Sequence, residues 1–174
     1  MAATVTLHVW TGADANTDGG IYESFSFLTA DSAASAAADR ISSPITIPSS
    51  GSAYSYEKWI SACIGVAPAN SVGNFKVWGS APAQTYPTGT CWLYGAVACT
   101  GGSAPVVTVS PNATADIGTA TSGAKGTWDA ASYAATGCQT AYLVMQLMVV
   151  STAAVGNWVS GAAGCVLNYS YDEV

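Results

Sequence analysis

The 174-residue sequence predicts an all-β protein, a single-domain antiparallel β-sandwich, with at most one short helix at Thr29–Arg40. Three observations predict this class. Apolar and polar residues alternate with a period of two over several stretches rich in β-branched and aromatic residues. Turn residues recur roughly every 8–12 positions between these stretches, as in sandwiches and barrels. Only 8% of the residues are charged, whereas the outer faces of helical bundles carry many lysines and glutamates.

The first part of the chain contains clear strand patterns. Thr4–Trp10 alternates between apolar and polar residues, and Ile21–Leu28 alternates again. Gly12–Gly20 lies between them and is predicted to be a loop, because its Asp, Asn and Gly residues favour turns. Thr29–Arg40 is rich in alanine, the best helix former, although an extended loop is equally compatible with it. Ile41–Pro48 is predicted to be an edge strand or a strand end, since its prolines cannot donate to a strand ladder.

Two further strands are predicted at Tyr54–Val66 and Asn70–Trp78, on either side of a Pro-Ala-Asn turn. Glu57 and Lys58 are adjacent within the first of them. Neighbouring side chains of a strand point to opposite faces, so these two cannot pair with each other. We therefore expect one of them to meet a partner on a neighbouring strand or to face solvent.

The region 79–129 changes character and is rich in Pro, Gly, Thr and Ala. It predicts long loops that belong to the same domain, residues 1–174, with short strands at Cys91–Thr100 and Val106–Ser110. Gly95 is predicted to turn the first of these strands into a tight hairpin. Two low-charge loops are candidate contact surfaces on an assembled particle: Ala81–Thr90 and Thr114–Lys125.

Tyr142–Val150 is the densest apolar run, and it has two interpretations. Ala141–Val159 approaches the length of a membrane-spanning helix. Gln146 interrupts that stretch, however, and neither flank carries a cluster of basic residues to anchor a span. A strand buried on both faces is nearly continuous in apolar residues, so the run is predicted to be a central strand. We expect it to pair with a strand at Cys165–Tyr171 after a connecting loop at Ser151–Gly164.

The charge distribution excludes some classes of partner. The net charge is −6 and the isoelectric point is about 4.2, whereas nucleic-acid binding needs clustered basic side chains. An anionic membrane surface is disfavoured for the same reason. The basic residues are scattered singly: Arg40, Lys58, Lys76 and Lys125. The first residues show no basic or apolar leader, so we expect synthesis in a cytoplasm.

The five cysteines leave two interpretations open. They are Cys63, Cys91, Cys99, Cys138 and Cys165, an odd number without CxxC spacing. They are either buried thiols that act as small apolar side chains, or disulfides formed after release into an oxidising exterior, one of them between subunits. A zinc site is not expected, because His8 is the only histidine and the cysteines lack ligand spacing.

No catalytic, cofactor-binding or metal-binding residues are predicted, and no enzyme activity. A nucleophilic Ser or Cys needs a base, usually His, and His8 lies in an alternating strand. The sequence has no GxSxG motif. Spacing gives no reason to pair any two acids, which we interpret as loop-solvating and turn-capping residues: Asp14, Asp18, Glu23, Asp31, Asp39, Glu57, Asp116 and Asp129.

The order of four segments resembles a pattern in structural proteins of tailed-bacteriophage virions. The segments are Ser55–Trp59, Asn74–Trp78, Tyr142–Val149 and Asn168–Glu173, the third followed by a Ser/Thr/Ala/Gly-rich loop. The resemblance covers roughly half of the chain, leaves 79–129 unmatched and does not demand the cysteines. It implies a β-sandwich or jelly-roll capsid decoration (cement) protein that binds the assembled phage head and stabilises it.

The resemblance also implies partners and a location. The partners would be the major capsid protein and further copies of this chain, most naturally as a trimer, with no nucleic acid and no membrane. The chain would be made in the host cytoplasm and assembled on the exterior of the virion. The alternative is a tail-fibre or head-fibre module that recognises a host-surface glycan. Sugar rings would then stack on exposed tryptophans, unless these lie in the core or at a subunit interface: Trp10, Trp92, Trp128 or Trp158.

Overall fold

The computed structural model describes residues 2–12, 15, 17–22, 27–31, 42–79, 89–98, 106–117, 120, 123–138, 140–154 and 167–173. Strands account for 57% of these residues and pair only in the antiparallel sense. The predicted all-β class is therefore confirmed. Within the same ranges, no helix has the length and apolar character needed to cross a membrane.

Within the described residues, eleven strands make up two sheets. In chain order they are β1 (Thr4–Thr11), β2 (Thr17–Ile21), β3 (Ser52–Tyr54), β4 (Lys58–Val66), β5 (Val72–Gly79), β6 (Thr90–Val97), β7 (Ala115–Asp116), β8 (Gly126–Tyr133), β9 (Gly137–Cys138), β10 (Tyr142–Val150) and β11 (Leu167–Glu173). The large sheet has the order β2-β1-β4-β10-β6-β7, with β3 paired to β10 and β9 paired to β4. The small sheet has the order β11-β5-β8.

Strand β10 is the middle of the large sheet. It pairs with β4 through Leu143–Met145 on one side and with β6 through Tyr142–Val149 on the other. Seven of its nine residues are buried, because both faces of the strand are covered. The prediction of a central strand is confirmed, but the predicted partner is wrong. Strand β11 (Leu167–Glu173) pairs with β5 in the small sheet instead.

The main core lies between the two sheets, as expected for a sandwich. Alternate residues of the large sheet point into it, among them Leu7, Ile60 and Leu143. Phe75 and Trp128 face them from the small sheet and pack ring to ring, 5.7 Å between centroids. This arrangement supports the predicted β-sandwich.

A second, smaller apolar cluster lies on the opposite side of the large sheet, which we call the outer face. Its buried members include Trp59, Tyr142 and Val144, with Trp10 packed against them. The rings of Trp59 and Tyr142 are 5.2 Å apart between centroids. Because strand side chains alternate between faces, the residues between those of the main core supply this cluster. The outer face is therefore also covered.

Other predicted elements differ from the structure. Thr4–Trp10 and Asn70–Trp78 are confirmed as strands. Of the predicted strand Ile21–Leu28, Ile21 ends β2 and Tyr22, Phe27 and Leu28 belong to no strand, while 23–26 lie outside the described residues. The predicted strands Ile41–Pro48 and Val106–Ser110 are wrong, because none of the described residues 42–48 and 106–110 lies in a strand. The predicted loop at Gly12–Gly20 contains most of β2.

Two predictions concern the long alanine-rich and glycine-rich regions. Most of the predicted helix at Thr29–Arg40, residues 32–40, lies outside the described residues. In the second half, Gly95 does not turn a hairpin. It sits within the continuous strand β6, directly opposite Val144 of β10. A Cβ at this position would lie 1.9 Å from the carbonyl oxygen of Asn112, so glycine is needed here for close approach of another backbone segment.

Candidate functional site

Glu57 is the centre of a buried hydrogen-bond network, although it lies in the short break between β3 and β4. Its side chain belongs to a residue only 2% exposed. Carboxylate Oε2 accepts from Trp59 Nε1 at 2.9 Å and from the backbone N–H of Val106 at 3.3 Å. Oε1 accepts from the Ser110 hydroxyl. The acid therefore meets donors from a distant segment rather than solvent.

Gln146 of β10 extends this network. Its amide nitrogen donates to the carbonyl oxygens of Ser55 and Thr108, at 2.8 and 2.7 Å. Its amide oxygen accepts from the backbone N–H of Ser110 at 3.0 Å. A side-chain amide can make four hydrogen bonds, and each one that is not made when the group is buried costs free energy. Gln146 makes three of the four. The residue that interrupted the apolar run in the sequence is thus a structural anchor.

Residues 106–113, which we call the pinned segment, are the target of these bonds. Glu57 and Gln146 bind its backbone, and the Ser110 hydroxyl accepts from the N–H groups of Asn112 and Ala113 at 3.0 and 2.8 Å. No charged residue occurs within the segment. Its exposed apolar side chains are Val107, 39% exposed, and Val109, 61% exposed. The network therefore fixes the backbone of a segment that has no charged side chain and that exposes Val107 and Val109 to solvent.

Lys58 follows Glu57 and is equally buried, at 2% exposure. Burial lowers the pKa of its ammonium group to about 8, and the charge of Asp31 acts in the opposite direction. The expectation that Glu57 and Lys58 point to opposite faces agrees with their surroundings. Neither residue faces solvent, and Glu57 finds its partners mainly in the pinned segment rather than on a neighbouring strand.

A second polar cluster surrounds His8 on the outer face. His8 lies opposite Ser61, and Thr6 lies opposite Cys63, in the pairing of β1 with β4. Cys63 and Cys138 form a disulfide between β4 and β9. One ring nitrogen of His8 and the sulfur atoms of Cys63 and Cys138 all lie within 4.8 Å of one another. Sequence spacing gave no sign of this cluster, because the two cysteines are 75 positions apart.

The described cysteines divide between the two interpretations, disulfide and buried thiol. The disulfide interpretation holds for Cys63 and Cys138, whereas Cys91 carries a free, half-buried thiol. Burial, with a smaller contribution from Asp116, raises the pKa of the Cys91 thiol to about 11. The thiolate is the reactive form, so this thiol is poorly reactive at neutral pH. Cys99 and Cys165 lie outside the described residues.

The tryptophans named as sugar-stacking candidates are mostly covered. Trp92 and Trp128 are each 4% exposed and belong to the main core. Trp10 is half-buried and donates from Nε1 to the Ser61 hydroxyl at 2.7 Å. Trp158 lies outside the described residues. A tryptophan that the sequence reasoning did not single out, Trp78, has the Lys125 ammonium group 4.3 Å from its ring centroid.

Asp129 and Asp18 both accept hydrogen bonds from backbone N–H groups. Asp129 accepts from the N–H groups of Ala131 and Ala141 and from the Tyr133 hydroxyl, at 2.7 to 2.8 Å. Asp18 accepts from the backbone N–H of Gly20 at 2.8 Å and faces His8. The turn-capping interpretation agrees with the local hydrogen bond of Asp18, but it is wrong for Asp129, which is a buried residue of strand β8.

The described residues therefore contain two candidate functional sites on a scaffold of two antiparallel sheets. One is the uncharged, apolar pinned segment, and the other is the sulfur–imidazole cluster of His8, Cys63 and Cys138. Comparison with known proteins adds no relative, since no family model, no curated protein and no solved structure matches this chain.

Proposed function

We propose that this protein is a non-enzymatic structural component of a tailed-phage virion, a capsid decoration (cement) protein with a jelly-roll-like sandwich. It binds the assembled head from outside and stabilises contacts between copies of the major capsid protein. The order of the four resembling segments supports the class. The pinned segment carries the proposal, because it presents Val107 and Val109 on a backbone that needs no further ordering.

Pre-organisation makes a small apolar contact effective. A mobile loop loses conformational entropy when it binds, whereas a segment held by Glu57 and Gln146 has lost that entropy during folding. Burying the exposed parts of two valines is worth roughly 2–3 kcal/mol per copy. This is too little for a stable single contact, so the proposal includes a symmetric homo-oligomer, a trimer, that repeats the patch and gains by effective concentration.

The test uses the particle fraction of the organism that carries the gene. Cryo-electron microscopy of that particle should show this chain on the outside of the head. Purified chain should co-sediment with heads from which it has been stripped, and light scattering should give the mass of a trimer. A chain found only at the tail tip, or in no particle, would contradict the proposal.

Matched variants locate the contact. Val107→Asp together with Val109→Asp should abolish co-sedimentation while the circular dichroism spectrum stays unchanged. Ile21→Asp is the control, because Ile21 is 60% exposed, as Val109 is 61% exposed, but lies in β2 at the edge of the large sheet. Binding lost equally in both proteins would refute a contact through the pinned segment.

The fibre module that recognises a host glycan is the outcome that this test must separate. Burial of Trp92 and Trp128 removes two of the tryptophans on which it depended. Binding to a glycan array, with no binding to stripped heads, would favour the fibre module. The Trp78→Ala variant then shows whether the ring beneath Lys125 is the contact.

A further inference from the structure

The cluster of His8, Cys63 and Cys138 has the composition of a metal site rather than of a disulfide alone. Two sulfur atoms and an imidazole nitrogen lie within 4.8 Å of one another. We propose that the reduced protein binds one thiophilic divalent cation of the zinc type through these three side chains. The disulfide and the metal-bound form are then alternative states of the same two sulfur atoms.

The backbone holds the three ligands together without the disulfide bond. Cys63 lies directly opposite Cys138, and Ile64 lies opposite Gly137, in the pairing of β4 with β9. The Thr140 hydroxyl accepts from the backbone N–H of Ala62 at 2.8 Å and secures the chain just after β9. Reduction therefore leaves both thiols facing each other, beside His8 on the adjacent strand β1.

His8 already makes the hydrogen bond that is typical of a metal-binding histidine. Its Nδ1 is 2.9 Å from Asp18 Oδ2 and 3.1 Å from Oδ1, so this nitrogen donates to the carboxylate and Nε2 is left to bind a cation. Histidines that bind metals usually donate their other ring nitrogen to a carboxylate or carbonyl in this way. The backbone N–H of Gly20 holds Asp18 in place.

The chemistry of the donors selects the cation. Thiolate and imidazole ligands suit zinc, with bonds of about 2.3 Å to sulfur and 2.0–2.1 Å to nitrogen, and a water would complete four-coordination. At those lengths two sulfur ligands lie about 3.8 Å apart, a separation that side-chain rotation can supply. Two molecules of a small thiol reduce the disulfide and leave as their own disulfide. The cation then displaces one proton from each protein thiol.

The experiment uses Co²⁺ as the probe, because tetrahedral cobalt–thiolate sites absorb in the visible and near-ultraviolet ranges. The protein is the full chain with Cys91, Cys99 and Cys165 replaced by Ser, so that Cys63 and Cys138 are the only cysteines. After reduction by a phosphine under anaerobic conditions, it should bind one Co²⁺ with cobalt–thiolate absorption. Excess Zn²⁺ should abolish that absorption, and the oxidised protein should show none.

Variants assign the ligands. Cys63→Ser should lose the absorption, and His8→Ala should weaken binding more than 10-fold. Asp18→Asn should weaken it about 10–100-fold, as expected when the partner of a ligating histidine is removed. Asp172→Asn is the matched control, since Asp172 accepts a side-chain hydrogen bond from Asn74 far from the cluster, and it should bind normally.

Near-ultraviolet circular dichroism reports the fold in each state. A reduced, folded protein that binds no cobalt would overturn the proposal, as would binding that survives Cys63→Ser. A reduced protein that unfolds and does not refold when cobalt is added would overturn it equally.

Discussion

Replacing Glu57 by glutamine tests the buried network with almost no change in shape. The carboxylate meets three donors: Trp59 Nε1, the Val106 N–H and the Ser110 hydroxyl. An amide offers one oxygen and one NH₂ group, so at least one of these donors must face another donor. The Ser110 hydroxyl cannot easily reverse its role, because it already accepts from Asn112 and Ala113.

The expected cost follows from these contacts. A hydrogen bond to a charged group contributes about 1.5–3 kcal/mol, and a buried donor without an acceptor costs about 1–3 kcal/mol. We expect Glu57→Gln to lower the free energy of unfolding by about 3 kcal/mol. Urea denaturation of the oxidised protein measures it, with an unchanged slope against denaturant. Hydrogen exchange should accelerate at the amides of Val106 and Ser110.

Two further variants make the measurement specific. Glu173→Gln is the control for the chemical change, because Glu173 is exposed and accepts only from the Ala3 N–H at 3.0 Å among the bonds that the structure gives it. It should cost less than about 0.5 kcal/mol. Ser110→Ala combined with Glu57→Gln should cost clearly less than the sum of the two single changes, since both remove the same bond. A stability of Glu57→Gln within about 0.5 kcal/mol of the wild type would refute the network as a structural anchor.

Three other perturbations test separate features. Gly95→Ala should lower the free energy of unfolding, measured in urea, by about 3 kcal/mol or more, because its Cβ would meet a backbone oxygen at 1.9 Å. Gly65→Ala is the control and should be neutral or slightly stabilising, since its Cβ would have its nearest neighbour at 3.8 Å. Equal effects of the two changes would contradict the close approach at Gly95. Lys58 has a pKa of about 8 in the folded protein, below its ordinary value of 10.5. The unfolded chain therefore binds the extra proton, and the free energy of unfolding should rise by about 3 kcal/mol between pH 8 and 10.5. Lys58→Met should remove this rise and stabilise the protein at pH 7, and a wild-type profile parallel to that of Lys58→Met would refute it. Replacing both Cys63 and Cys138 by Ser should cost about 4.5 kcal/mol, from the entropy of a loop with a sequence separation of 75, and an unchanged denaturation midpoint would contradict the bond.

The local periodicity of the sequence predicted several strands, but the one strand pairing that was predicted is wrong. Thr4–Trp10 and Tyr142–Val150 show their strand character within a few residues, because alternation and β-branched content are local signals. Pairing is a long-range property. The last strand follows β10 in the chain, and consecutive strands are often neighbours, yet β11 lies in the other sheet.

The sites escaped prediction for a related reason. Alternation correctly placed Glu57 and Lys58 on opposite faces, but it cannot show that a segment some 50 residues later covers Glu57. Gly95 was predicted to be a turn residue, but glycine is needed there because the backbone of Asn112 approaches closely. Asn112 is not a sequence neighbour of Gly95, so local patterns could not show this. His8, Cys63 and Cys138 come together only through the register of β1, β4 and β9, for which no short motif exists.

The central position of β10 also governs when the chain can fold. Strands β4 and β6 are joined only through β10, which lies between them. The large sheet therefore cannot be completed before about residue 150 has been synthesised. The bonds that lock the outer face span 53 positions between Glu57 and Ser110 and 92 between Ser55 and Leu147. Topologies dominated by such distant contacts have a high contact order and fold slowly. A nascent chain that contains β4 but not yet β10 therefore exposes the edge of β4 that β10 will cover, and its yield in a cell should depend on chaperones that shield that edge.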